Sequence, residues 1–380
     1  MSNGGSLSNF LPSGYNQTPT KLDFATLQYK FLIDLADYIN GYFITSNDLI
    51  FYFFSRRKAF YRNAKICVSK LNYLKDEATK IRKDREQITI CVDAYKGNNR
   101  YVYEMIKYLE KNLKNDLYGA YLHGSLATYE ECNYSDFDAV VIIKNEVFSS
   151  PEKLCDVAIK LHKASSIMFK FDPLQHHGWF VLTAMDLECY PAIYFPHEIF
   201  NNAKSLFRDM GLTLDININI SDASDRDIFS VLSKSIKKLI QHKEYPRNMY
   251  QLKSLLSKFM LLPSLYVQSR DGYAIFKKFS FNEVKKDFSN EEWEVMEEVS
   301  RVRGSWTYRI SPLKFLLMAR SNRLSRYLAK IYGPRIPKSI LNILTDTFYE
   351  KMFRLIKAME AKLQIQVSSE DDSGFIDAKK

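Results

Sequence analysis

The chain has 380 residues, of which 46% are apolar, with 25 Tyr and 26 Phe; this supports two or three packed units and excludes wholesale disorder. Its net charge of +10 points either to a polyanionic partner or to a Lys-rich soluble surface. Five scattered cysteines with no CxxC pair argue against a disulfide framework or a structural zinc site, and for free thiols in a reducing compartment.

Residues 1–20 are rich in Gly, Ser, Asn and Pro and read as a mobile arm. They lack the basic start and apolar core of a signal peptide. The apolar run LIFYFF at 49–54 is far short of the roughly 20 residues that span a bilayer, so a soluble cytoplasmic protein with no membrane partner is expected. From 21 to 115 the spacing predicts helices. Leu32, Leu35, Tyr38 and Ile39 share one face, and Val102, Met105, Ile106, Leu109 and Leu113 form another stripe. The charged run KDEATKIRKDRE reads as a solvated helix face.

The texture then changes. YGAYL (118–122) and DFDAVVII (136–143) read as strands, the second apolar on both faces beyond its aspartates and so covered on both sides. Helical spacing returns at 151–167, followed by strand candidates HGWFVL (177–182) and LTLDININI (212–220). The segment 116–222 is therefore an α/β core. Three-to-four spacing resumes through 223–366, and the polar end, 367–380, reads as a disordered tail. The expected class is α+β: a small mixed sheet flanked by N-terminal helices and a C-terminal helical domain.

Chemistry is concentrated in YLHGSLATYEECNYSDFD (121–138). In a strand Asp136 and Asp138 project to one side, with Phe137 pointing into the core. Two carboxylates so close repel, and a divalent cation, Mg²⁺ or Mn²⁺, removes the conflict. Such a pair suits phosphoryl or nucleotidyl transfer. Gly124 permits close backbone approach to a phosphate, and the Ser125 hydroxyl can donate to it. LATYEE could open a short helix whose positive end faces an anion. No GxxxxGK[ST], HExxH or GxSxG motif occurs.

An apolar residue, Gly-Ser, a spacer and then Asp-x-Asp leading into an apolar strand (Leu122, Gly124, Ser125, Asp136, Asp138, Ala139, Val140, Val141, Ile142) resembles the DNA polymerase beta-like nucleotidyltransferase superfamily. The resemblance covers Tyr118 to about Ile220. It implies a nucleotidyltransferase core, a nucleoside triphosphate such as ATP held by Gly124 and Ser125, and metal ions on Asp136 and Asp138. It further implies a helical unit that closes the nucleotide cleft and often offers a lysine to the phosphates; by position that is Lys253. The family's third carboxylate has no counterpart on the corresponding strand, which carries His176 and His177. Adjacent strand residues face opposite ways, so one of the two at most looks into the site, and His177 shares a face with Trp179 and Val181. His177 or Asp172 is the expected substitute for the acid.

Between 226 and 340 there are 23 Lys and Arg against 10 Asp and Glu. The stretch 301–340 carries ten bases and no acid, among them Arg303, Lys314, Arg326, Lys330 and Arg335. Leu316, Leu317, Leu324 and Leu328 are expected to pack inward and leave the bases on an open face. That face fits RNA or another polyanion; a solvated helix surface or a protein contact is the plainer alternative. The overall expectation is a metal-dependent transfer of a nucleoside monophosphate to a hydroxyl with release of pyrophosphate. The alternatives are a silent nucleotide- or RNA-binding relative and a helical interaction protein.

Overall fold

The computed structural model describes residues 24–41, 56–79, 85–219, 225–319 and 323–363; the expected arm at 1–20 and tail at 367–380 lie outside them. Among the described residues two helices, α1 (Phe24–Ile39) and α2 (Arg56–Ala78), lead into β1 (Arg85–Cys91). Residues 85–91 were expected to continue the N-terminal helices. They form a strand instead, because the segment finds an antiparallel partner in β6 (Thr213–Asn219) far along the chain.

Next come α3 (Arg100–Asn112), β2 (Leu117–Leu122), the single turn α4 (Gly124–Ala127), β3 (Ala139–Ile143), α5 (Pro151–Phe171) and β4 (Phe180–Thr183). A further turn, α6 (Ala184–Glu188), and the two-residue β5 (Lys204–Ser205) precede β6. The larger sheet has the order β4-β3-β2-β5, with β3 and β4 parallel and the other pairs antiparallel. The sheet is thus mixed, as expected. The parallel pair needs a crossover, and α5 supplies it. Ser150 caps α5 by accepting from the Lys153 N–H, Pro151 opens it, and Asp172 ends it just before Pro173. Every residue of β3 is buried, which matches its two-sided apolar pattern.

The rest of the described chain is helical: α7 (Asp225–Gln241), α8 (Met249–Phe259), α9 (Leu262–Asp271), α10 (Lys277–Lys285), α11 (Asn290–Gly304), α12 (Pro312–Met318), α13 (Arg323–Tyr332), α14 (Lys338–Leu341) and α15 (Asp346–Lys362). The structure is α+β, with a small mixed sheet between N-terminal helices and a helical C-terminal region. It holds two hydrophobic clusters, one around the sheet and α1–α5, the other within the helical region; Tyr134 and Leu174 of the sheet half belong to the second. No described helix is long and apolar enough to cross a membrane.

Two expectations for the basic stretch need correcting. Leu316 and Leu317 are exposed rather than packed inward, because α12 makes its main buried contact through Met318. Leu328 is half-buried, and the Leu324 side chain lies outside the described residues. Arg326, expected on the open face, is fully buried. It donates to the carbonyls of Pro173 (3.0 Å), Gln175 (2.7 Å) and Met318, so its charge is spent on tying the helical half to the loop after α5.

Candidate active site

β2 ends at Leu122, and the His123 N–H donates to the Asp138 carbonyl at 2.9 Å. The chain then turns at Gly124 with φ +70°, a conformation that strains other L-residues. A Cβ there would stand 2.5 Å from Asp138 Oδ2. Glycine is therefore needed twice, for its backbone angle and because the carboxylate lies against it. The Ser125 hydroxyl donates to the Ser135 hydroxyl at 2.8 Å, which in turn accepts from the Cys132 N–H at 2.9 Å.

Asp136 and Asp138 lie just ahead of β3 rather than inside it, as β3 begins at Ala139. Their geometry comes from a side chain that sequence reading missed. The fully buried Gln175 accepts from the Phe137 N–H (2.7 Å) and donates to the carbonyls of Phe137 (3.1 Å) and His177 (2.8 Å). One amide thus binds the aspartate segment to the histidine segment, with Phe137 buried between the two acids as expected. No local signal marks Gln175, because Phe137, the residue it fixes beside the acids, is 38 residues away.

Asp136, Asp138 and His177 form a trio whose ligand atoms lie within 4.8 Å of one another, a group that could hold a metal ion. His177 Nε2 is 3.0 Å from Asp138 Oδ1. The residues fit a hard divalent cation on one further count: the glycine cradle keeps Asp138 free of a neighbouring Cβ. Both histidines line the cavity, against the expectation that one would face away. Residues 174–179 are irregular, and β4 starts only at Phe180, so strand alternation does not apply to them. His176 donates from Nε2 to the Tyr250 carbonyl at 2.9 Å and lies against the Tyr250 ring. Trp179 does not share a surface with His177; it is buried under α5 and donates from Nε1 to the Leu161 carbonyl at 3.1 Å.

Lys253 on α8 is fully buried. Its ammonium stands 2.8 Å from Asp136 Oδ1 and 2.6 Å from Asp172 Oδ2. Neither Lys253 nor Asp172 lines the cavity, whereas Gly124, Ser125, Asp136, Asp138 and His177 do. Tyr134 packs beside the lysine, its ring 5.0 Å from Nζ, and its hydroxyl donates to the Lys253 carbonyl at 3.2 Å. Arg303 lies 5.0 Å from the same ring, and Trp306 meets it edge-on. With Lys277 at the start of α10, Arg303 lines the helical side of the cavity. Lys277 was not singled out from sequence and Arg303 only as one of ten bases, since nothing local distinguishes a lysine that the fold turns toward carboxylates.

The charges respond to this placement. Burial alone would raise the Asp136 carboxyl, but the Lys253 ammonium and then the two histidines hold it well below the usual carboxylate range. Asp172 moves the other way: burial pushes it up and the Asp136 charge adds to that, with Lys253 opposing. Burial pulls the His177 ring down, yet its bond to Asp138 and the charges of Asp138 and Asp136 win, and it is pushed up to about 9. Burial pushes His176 down to about 3 and His123 to about 4, so both rings are neutral. Lys277 is pushed down to about 8 by burial and by repulsion from Arg303.

The cavity has a volume of about 860 Å³ and opens between the sheet half and helices α8–α11. A carboxylate pair with a histidine lies on one wall; Lys277, Lys278, Lys285 and Arg303 lie on the other, Lys278 paired with Glu130 and Lys285 with Glu297, a division of charge that suits a polyphosphate bridged by metal.

Among solved structures the chain is similar to spectinomycin adenyltransferase AAD(9) from Enterococcus faecialis, determined with ATP and spectinomycin. The match covers 60% of this chain and 98% of that one, at 14% identity and a TM-score of 0.29. No protein-family model matches, and no curated protein matches. The geometry of the cleft, rather than so distant a likeness, supports the reading that follows.

Proposed function

We propose that the chain is a metal-dependent nucleotidyltransferase acting on a nucleoside triphosphate. The observation that carries this is the trio Asp136, Asp138 and His177 on the wall of a cavity large enough for a nucleotide, with the Gly124–Ser125 turn packed against Asp138. Asp136 and Asp138 would hold Mg²⁺ or Mn²⁺, which when bound neutralises phosphate charge and orients the reacting oxygens. Gly124 and Ser125 would receive the triphosphate, with Arg303 and Lys277 neutralising it from the helical side. An acceptor hydroxyl attacks the α-phosphorus, a new P–O ester bond forms, the bond to the β-phosphate's bridging oxygen breaks, and pyrophosphate leaves. The hydroxyl proton passes to a base in the cleft. Of the two candidates, His177 lines the cavity, while Asp172 is buried behind Lys253.

A second reading is a silent member that binds nucleotide without turning it over. Two observations favour it: a histidine where a third carboxylate is usual, and an ammonium already on Asp136. Incubation with each of the four NTPs and Mg²⁺, with mass spectrometry of all products, separates the readings. Transfer predicts pyrophosphate and a nucleotidylated product, both lost in Asp136→Asn/Asp138→Asn. Nucleotide binding without pyrophosphate supports the silent reading. Pyrophosphate release that survives in the double variant sinks the assignment of roles.

A further inference from the structure

Lys253 belongs to α8 of the helical half, yet both carboxylates it touches belong to the sheet half. The two are not equivalent. Asp136 is one of the three side chains that can hold a cation. Asp172 is not: it ends α5, is buried away from the cavity, and accepts from the Leu174 N–H at 3.0 Å through its other oxygen. One ammonium is therefore shared between a candidate metal ligand and a carboxylate with no place in the metal site. The Tyr134 hydroxyl holds the lysine's backbone by donating to its carbonyl at 3.2 Å, and the ammonium lies within reach of both oxygens.

A divalent cation on Asp136 and an ammonium 2.8 Å from Oδ1 of that carboxylate repel each other, and in a buried site that repulsion is weakly screened. We infer that Lys253 and the divalent cation compete for Asp136, and that Asp172 is the seat that retains the ammonium when the cation binds. This rests on the metal-site reading above. Its consequence is a linkage between cation occupancy and the ionic tie that joins the two halves: whatever strengthens Lys253 on Asp136 weakens the cation, and the reverse. Asp172 and Lys253 act here as positioning residues, without touching substrate.

The test is Mn²⁺ binding to the full chain without nucleotide, followed by electron paramagnetic resonance of the free ion and by calorimetry. Asp172→Asn takes away the alternative seat and leaves the ammonium to Asp136; Mn²⁺ affinity is expected to fall about threefold or more. Lys253→Met/Asp172→Asn removes the competitor and leaves the Asp136 carboxylate to the cation; affinity is expected to rise at least about tenfold above wild type. Opposite signs from variants at two non-ligand positions are not what a merely structural role produces, since that role weakens binding in both. Affinity in the double variant at or below wild type overturns the inference, as does a single variant that binds as wild type does. Should the double variant fail to fold by circular dichroism, Lys253→Met takes its place, with the same rise in affinity expected and a value at or below wild type overturning the inference. Wild type that binds no Mn²⁺ removes the metal-site reading as well, whereas wild-type binding with unmoved variants removes the inference alone.

Discussion

Asp138 and His177 face each other at 3.0 Å, and burial and pairing pull the imidazole in opposite directions. Pairing wins, so the metal-free ring is expected to titrate near 9 by NMR. In Asp138→Asn burial loses its main opponent, and the ring should titrate well below 9. The folded value lies above the ordinary 6.5, so the pair's contribution is fully present below about 6.5 and is lost as pH rises through about 9. Without metal, the thermal-stability advantage of wild type over Asp138→Asn should be larger at pH about 6 than at about 10. An advantage that grows with pH would contradict the pairing. Across the cavity, Arg303→Ala is expected to raise the nucleotide KM about tenfold with a smaller change in kcat, because it removes charge that acts on bound and reacting phosphate alike. The Asp-x-Asp and Gly-Ser positions were legible because their chemistry lies in local spacing. Gln175, Tyr134 and Lys277 were not, as each acts on residues distant in the chain.

At the scale of elements, the site is a junction of two irregular segments: the approach to β3 and the loop between α5 and β4. Gln175 joins them, and Arg326 anchors the second to the helical half. Gln175→Ala leaves the buried Phe137 N–H without its partner and is expected to cost about 1–3 kcal/mol by urea denaturation. It should also lower turnover, since Asp136 and Asp138 flank the freed residue. Gly124→Ala carries two penalties at one position, the left-handed angle at about 1–2 kcal/mol and a Cβ 2.5 Å from Asp138 Oδ2. Cation affinity should fall further than stability in that variant, because the nearest relief is movement of the Asp138 carboxylate. Equal losses would assign Gly124 to the fold alone. Strand reading succeeded for β2 and β3, where apolar runs are dense, and failed for β1, whose only support is its distant partner β6.

For the whole molecule, two hydrophobic clusters meet at a cleft whose walls carry opposite charge. A ligand that binds both walls stabilises the folded chain by mass action, about 2.7 kcal/mol at a hundred times its dissociation constant. NTP with Mg²⁺ should therefore raise the melting temperature of wild type and not of Asp136→Asn/Asp138→Asn. The basic surplus of the helical half is a separate matter. Arg309, Lys314, Lys330, Arg335 and Lys338 are exposed, whereas Arg326 is not. We propose that the exposed set retains a polyanion such as RNA, with affinity that falls steeply with salt in a mobility-shift titration. Retention that is indifferent to salt would assign those bases to solubility.

From the sequence alone came the α+β class, the acid pair with its glycine turn, and the expectation of a hard cation, because periodicity and close spacing of like charges are local properties of a chain. Tertiary structure decided which histidine joins the acids, that Lys253 is held between two carboxylates, that Arg326 turns inward while Leu316 and Leu317 turn out, and which cations face the cleft. Those outcomes depend on burial and on charge pairs between distant segments, and neither exists until the two halves have packed against each other.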